Sequence, residues 1–326
     1  MMLPLNDPLW NKLDDAHRDR CIPDVLAGLA ESWNDEAANS LFWDCLCHQE
    51  TCYGATYAAI PHLLNIAKPD ENEHQRLQIA LFAGFVALCA LRPRKGSSEE
   101  IESRHLPGLP LTLEAWDRKL DTFRSLVASF EGSNGLVSRY ERLELLPRYK
   151  RLLAIEPVHA GDLTKIRSIQ VDFFSALPMI RSVCEHALVE NLDDKHAVSH
   201  MLCGIAAADG LLNLARLLNS GSDGQFTCSR CGCRYQYILF GDQVAIYVCE
   251  GYDEARSLRD FKERTPTRCD GFMTPTGENE ILDARTVGLL SLAKRASSPE
   301  PALLLRSFLG SFRCCKCGAQ GAIQAI

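Results

Sequence analysis

No apolar run in this 326-residue sequence is long enough to cross a bilayer. The nearest, IALFAGFVALCAL, stops before Arg92, short of the roughly 20 apolar residues that a spanning helix needs. The N-terminus MMLPLNDPLWNKLDDAHRDR lacks the apolar core of a secretory signal, and its first charges are mixed in sign. A cytoplasmic protein without a membrane partner is expected. Basic residues are outnumbered, 35 Lys and Arg against 42 Asp and Glu, which leaves a formal charge of −7 and a pI near 5.8. A nucleic-acid footprint usually rests on a basic face, so the balance argues against DNA or RNA and toward a basic partner. GxGxxG, Walker, GxSxG and zincin motifs are missing too, and the chain is expected not to be an enzyme.

What the chain has in quantity is cysteine, fifteen in all. In a reducing compartment these are core thiols, redox groups or metal ligands rather than disulfides, and spacing decides which. With 46% hydrophobic and 24% charged residues, the composition is that of an ordinary globular protein able to bury a substantial core.

From Asp7 to about Asn219 apolar residues return every three or four positions, which predicts helices near 7–19, 22–32, 35–46, 51–67, 73–91, 112–130, 137–153, 163–190, 195–208 and 210–219, with no strand among them. Breaks such as NLDD at 191–194 carry helix-start chemistry, and the acidic SSEEIES reads the same way. YAAIPHLLNIA, Tyr57 to Ala67, aligns without gaps on FSALPMIRSVC, Phe174 to Cys184. The shared proline matters because inside a helix it removes a hydrogen bond and clashes with the preceding turn. Tyr57, Ile60 and Leu64 form one stripe, with Phe174, Leu177 and Arg181 as its counterpart. Such an echo favours stacked helical pairs over a bundle.

Beyond residue 220 the pattern changes. SGSDGQ reads as a turn or linker, RYQYILF and QVAIYV as strands joined by GD, and 250–280 as a polar mixture. ILDARTVGLLSLAKRA and ALLLRSFL return to helical periodicity. The expectation is therefore a mainly α protein: a helical repeat domain over 1–220 and a smaller mixed α+β module over 221–326.

That module carries the strongest motif. FTCSRCG, Phe226 to Gly232, and FRCCKCG, Phe312 to Gly318, both read F-x-C-x-basic-C-G. A CxxC turn presents two thiolates on one side of a tight loop, and its closing glycine permits a positive φ. Two such knuckles predict a structural four-thiolate zinc site from Cys228, Cys231, Cys314 and Cys317, although paired knuckles usually lie only 15 to 20 residues apart. Cys233 and Cys315 are alternative ligands. A redox role is disfavoured, since neither CxxC opens a helix in a βαβ unit.

Other clusters have blander readings. Cys45, Cys47 and Cys52 with His48 suggest a metal or nucleophile site, but buried free cysteines suit a packed seam between helices better. His196 and His200 lie four apart and lack the glutamate of HExxH, so they read as a surface pair. RYERLELLPRYKRLL at 139–153 mixes Glu141 and Glu144 into its basic residues and reads as a solvated face.

The run CHQETCYGATYAAIPHLLNIA, preceded by LFWDCL, resembles a group of bacterial HEAT-like helical-repeat proteins. Their first helical pair is joined by an H-Q-x-T-x-Y-x-A-x-Y-A-A-x-P-x-L signature. It maps onto His48, Gln49, Thr51, Tyr53, Ala55, Tyr57, Ala58, Ala59, Pro61 and Leu63, while Glu50 stands where a glycine is expected. The paired knuckles resemble an appended zinc ribbon. The resemblance implies a HEAT-like α-solenoid that acts by binding, of the kind found as immunity proteins to secreted toxins, with a cognate toxin as partner, for example a basic nuclease. The alternative is a nucleic-acid binder that uses the ribbon, supported by Arg230, Arg234, Arg313 and Lys316. A HEAT-like glycosylase would need an aromatic and acidic cleft that the sequence does not locate.

Overall fold

The computed structural model describes residues 2–17, 21–48, 50–67, 72–91, 106–132, 139–249 and 254–325. In chain order the elements are α1 (Ile22–Glu31), α2 (Asp35–Asn39), β1 (Cys47–His48), β2 (Thr51–Cys52), α3 (Gly54–Ile66), α4 (Glu73–Ala90), α5 (Leu113–Gly132), α6 (Arg139–Leu153) and α7 (Asp162–Glu190). They continue with α8 (Lys195–Ala208), α9 (Leu212–Asn219), β3 (Asp223–Cys228), β4 (Arg234–Phe240), β5 (Gln243–Val248), α10 (Glu254–Glu263), β6 (Gly271–Phe272), α11 (Ala284–Ala293), α12 (Glu300–Leu309), β7 (Ser311–Arg313) and β8 (Gln320–Ala325). The helical first part and the mixed second part follow the hydrophobic periodicity of the sequence. Two compact units result: Met1–Phe82 with Cys89–Met179, and Ala83–Leu88 with Ile180–Ile326. Compactness thus divides the chain inside α7, whereas the change of residue pattern near 220 marks where strands begin inside the second unit.

The first unit departs from its sequence reading at two places. Of the helix expected over 7–19, the described residues form only a short 3₁₀ helix, Pro8–Lys12, whose first turn is capped by Asp7 accepting from the Leu9 N–H at 2.9 Å. Proline suits a helix start; the continuation is lost because Asp14 turns inward. Its carboxylate, 2% exposed, accepts from the Gly54 N–H at 3.0 Å and pairs with Lys119 at 2.8 Å, so the buried charge is compensated.

The second departure is the hairpin β1–β2, where no strand was expected: Cys47 pairs with Cys52 and His48 with Thr51. It sits between a π-wound segment, Ser40–Leu46, and α3. Thr56 closes its base, accepting from the Tyr53 N–H at 2.9 Å and donating to the Leu46 carbonyl.

Pro61 and Pro178 both lie inside helices, α3 and α7. The two copies share the buried pairs Ala59 and Ala176, Leu63 and Ile180, and Ala67 and Cys184, but the first also buries Tyr57, Ile60 and Leu64, whose counterparts Phe174, Leu177 and Arg181 are only half-buried. Tyr57 packs edge-on against Phe173 at 5.1 Å.

The second unit is built on six antiparallel strands in the order β6-β5-β4-β3-β8-β7. The sheet nearly closes, because Thr274, just past β6, bridges Ser311 at the start of β7. Alternation along the strands turns Phe226, Tyr235, Tyr237 and Phe312 to one face. All four are fully buried. Phe226 stacks on Tyr235 at 5.3 Å, Phe312 meets both edge-on at 5.0 Å, and Phe308 of α12 meets Tyr237 at 5.2 Å. On the opposite face Tyr247 donates to Asp260 of α10 at 2.9 Å. The region read as a polar mixture supplies α10 and β6, elements too short for periodicity to reveal.

Candidate metal centre

The two F-x-C-x-basic-C-G motifs are the turns of two hairpins. The first joins β3 to β4 and the second joins β7 to β8. In each, the first cysteine N–H donates across the turn, Cys228 to the Cys233 carbonyl at 2.9 Å and Cys314 to the Ala319 carbonyl at 3.0 Å. In each, the glycine N–H returns to the first cysteine's carbonyl, Gly232 to Cys228 at 2.9 Å and Gly318 to Cys314 at 2.8 Å. The glycines have φ of 70° and 68°, a left-handed conformation that a side chain disfavours. Matched sequence therefore yields matched turn geometry.

Strand pairing brings the turns together. β3 runs antiparallel to β8, with Cys228 opposite Ile323, so both knuckles emerge at one end of the sheet. The Sγ atoms of Cys228, Cys231, Cys314 and Cys317 all lie within 4.8 Å of one another, and those of Cys231 and Cys314 are 3.6 Å apart. Four thiolates at about 2.3 Å from a tetrahedral ion are separated by roughly 3.8 Å, so these four could hold a metal ion. Each knuckle contributes one buried thiol, Cys228 or Cys314, and one exposed thiol, Cys231 or Cys317. Cys233 and Cys315 stand outside the group of four. The long separation along the chain is no obstacle, since the described residues between the knuckles supply strands β4 to β7 and helices α10 to α12.

The electrostatics suit a bound cation. Burial acts to raise the Cys314 thiol, but the Tyr235 hydroxyl and the N–H groups of Cys317 and Lys316 outweigh it and hold the group at about 6. Cys231 accepts from the Cys233 N–H, which favours its thiolate; desolvation and the thiols of Cys314, Cys228 and Cys317 overcome this and push it up to about 12. Hydrogen bonds thus favour the thiolate at Cys314 while Cys231 is held toward its thiol. A divalent cation bound by the four sulfurs would require them as thiolates and displace their protons.

Tyr235 was not legible as part of this centre. Its hydroxyl donates to Cys314 Sγ at 3.1 Å and accepts from the Cys315 N–H at 3.0 Å. The only sequence signal is its inward position two residues past Cys233; nothing in spacing joins it to a thiol 79 residues further on.

The remaining candidates are dispersed. His48 is half-buried, with its ring edge-on to His17 at 5.5 Å; Gln49 and the SSEEIES segment lie outside the described residues. Cys45 is buried in the π-wound segment, and the thiols that meet are Cys47 and Cys52 with Cys89 of α4. His196 and His200 are exposed on α8. Asp194 caps that helix, accepting from the N–H groups of His196 at 2.9 Å and Ala197 at 3.1 Å. In the 139–153 stretch Tyr149 stacks on Phe130 at 5.9 Å, and the side chains of 139–144 lie outside the described residues.

Fold and site together define a helical protein whose C-terminal sheet carries at one end a paired-knuckle group of four cysteines that could hold a metal ion. No protein-family model, curated protein or solved structure matches the chain. None of the described helices is long and apolar enough to cross a membrane.

Proposed function

We propose that the chain is a non-enzymatic protein-binding protein, an immunity protein that occludes a cognate toxin, with a HEAT-like stack of helices and a zinc-tied C-terminal sheet. The observation that carries this reading is the four-thiol centre. Four cysteines fill every position of a tetrahedral zinc ion and leave none open for water or substrate, so the strongest chemical constellation of the chain maintains shape. The excess of acidic residues falls before residue 221, which would steer a basic toxin toward the helical part. The H-Q-x-T signature from His48 onward points the same way.

Two measurements test the proposal. Elemental analysis of purified protein should find about one zinc per chain, and Cys228→Ser or Cys317→Ser should remove it. Co-expression with the product of the neighbouring gene should rescue growth and yield a stable complex; neither rescue nor complex would overturn the immunity reading.

The second reading, nucleic-acid binding, draws on one specific observation. Arg230, Arg234, Arg313 and Lys316 are all exposed at the sheet end where the knuckles meet. Polarisation of labelled DNA and RNA decides it: phosphate contacts make affinity fall linearly with the logarithm of salt, and no binding at low salt discards the reading.

A further inference from the structure

We propose that Cys47, Cys52 and Cys89 form a second metal site, distinct from the knuckle centre, that takes a single Cu(I) ion in three-coordinate thiolate geometry. Three separate elements deliver these sulfurs. Cys47 and Cys52 are directly paired across the hairpin β1–β2, and the side chains of such a pair project from the same face. Cys89 comes from the last turn of α4. All three Sγ atoms lie within 4.8 Å of one another, and Cys52 donates its thiol hydrogen to Cys47 Sγ at 3.8 Å. The Cys89 thiol hydrogen-bonds to the same sulfur.

The donor set selects the ion. A metal–sulfur bond of about 2.3 Å places three coplanar ligands roughly 4.0 Å apart, close to the Cys47–Cys52 separation. No histidine, aspartate or glutamate joins the three thiols among the described residues. Zinc fills four positions and is served by the knuckle centre; three soft donors without a nitrogen or oxygen partner suit a monovalent soft ion. Cys47 and Cys52 are 2% and 3% exposed, and Cys89 is half-buried, so Cys89 provides the side from which an ion enters. Binding replaces two bridging protons by one cation: Cu⁺ joins one thiolate and two thiols to give a tris-thiolate complex, and two protons leave to solvent. No redox change occurs. The hairpin that carries His48 and Thr51 would then be tied to α4 by the metal.

The test uses the full chain, purified anaerobically and first saturated with zinc. Cu(I) is supplied as its acetonitrile complex against bicinchoninate as competing indicator. One equivalent should be retained without zinc release, and X-ray absorption should show three sulfur ligands about the copper. Cys52→Ala and Cys89→Ala should each weaken retention by more than about 100-fold, while Cys45→Ala leaves it unchanged. If the alanine variants do not fold, alkylation of the wild-type protein with and without copper replaces them: protection confined to Cys47, Cys52 and Cys89 supports the site. Four outcomes overturn it: no copper retained, copper retained equally by the folded Cys52→Ala and Cys89→Ala variants, copper that displaces zinc one for one, or a Cys47–Cys52 disulfide formed in place of a complex.

Discussion

Glu50 has φ of 61° in the turn of the β1–β2 hairpin, the left-handed conformation that an L side chain adopts at a cost of about 1–2 kcal/mol. A glycine would adopt this conformation without that cost. Glu50→Gly should raise stability by about 1 kcal/mol in urea denaturation; a loss of stability would show that Glu50 makes a compensating interaction. At the knuckles the informative residue is Tyr235. Tyr235→Phe removes one hydroxyl but keeps the ring between Phe226 and Phe312, so the sheet should fold. Zinc affinity, read by competition with a chromophoric chelator, should drop about 10- to 100-fold, as is typical when the group orienting a ligand is lost.

Among the elements, closure of the sheet depends on a single approach. The Thr274 N–H donates to the Ser311 carbonyl at 2.7 Å and the Ser311 N–H returns to the Thr274 carbonyl at 3.1 Å. A Cβ at Gly310 would meet the Thr274 oxygen at 2.0 Å, far inside van der Waals contact. Gly310→Ala must therefore push β7 away from Thr274. The expected result is a loss of at least 1–3 kcal/mol, the range of overpacking, with faster amide exchange at Thr274 and Ser311; an unchanged melting temperature would contradict this geometry. The helices were largely legible because their apolar stripes are long enough for a period of three to four residues to register. β1, β2 and β6 have two residues each, which is too short for alternation to be seen. β3, β7 and β8 were hidden beside the knuckle motifs for a different reason: their partners are chosen by pairing across the chain.

For the whole molecule, metal and pH are the accessible levers. If the knuckle centre is zinc, a strong chelator should unfold the C-terminal sheet while helical signal from the first unit persists, since metal binding and folding of such a site are coupled. Far-UV circular dichroism with zinc release measured in parallel separates these events. One source of pH response is His62, 8% exposed, whose Nε2 lies 2.8 Å from the Leu3 carbonyl. Burial holds its pKa below the ordinary value of 6.5, against the opposing hydrogen bond to Leu3. The unfolded chain therefore binds this proton first, and the stability present above about pH 6.5 is lost as pH falls through the depressed folded value. Stability should decline between pH 7 and 5, and His62→Phe should flatten that slope; an equal slope in the variant would exclude His62 as its source.

The residue pattern alone determined the mainly helical first part, the GD-linked pair of strands and the four cysteines of the knuckles, because each is local. Helix periodicity, turn chemistry and the F-x-C-x-x-C-G repeat act over fewer than twenty residues. Tertiary structure decided everything that needs distant parts of the chain to meet. It set Cys228 and Cys231 against Cys314 and Cys317 through β3–β8 pairing, placed Tyr235 on Cys314, joined Cys89 rather than Cys45 to Cys47 and Cys52, and left Phe174, Leu177 and Arg181 half-buried where their counterparts Tyr57, Ile60 and Leu64 are buried. These are outcomes of packing, where one residue of register or one turn of helix changes which side chains touch.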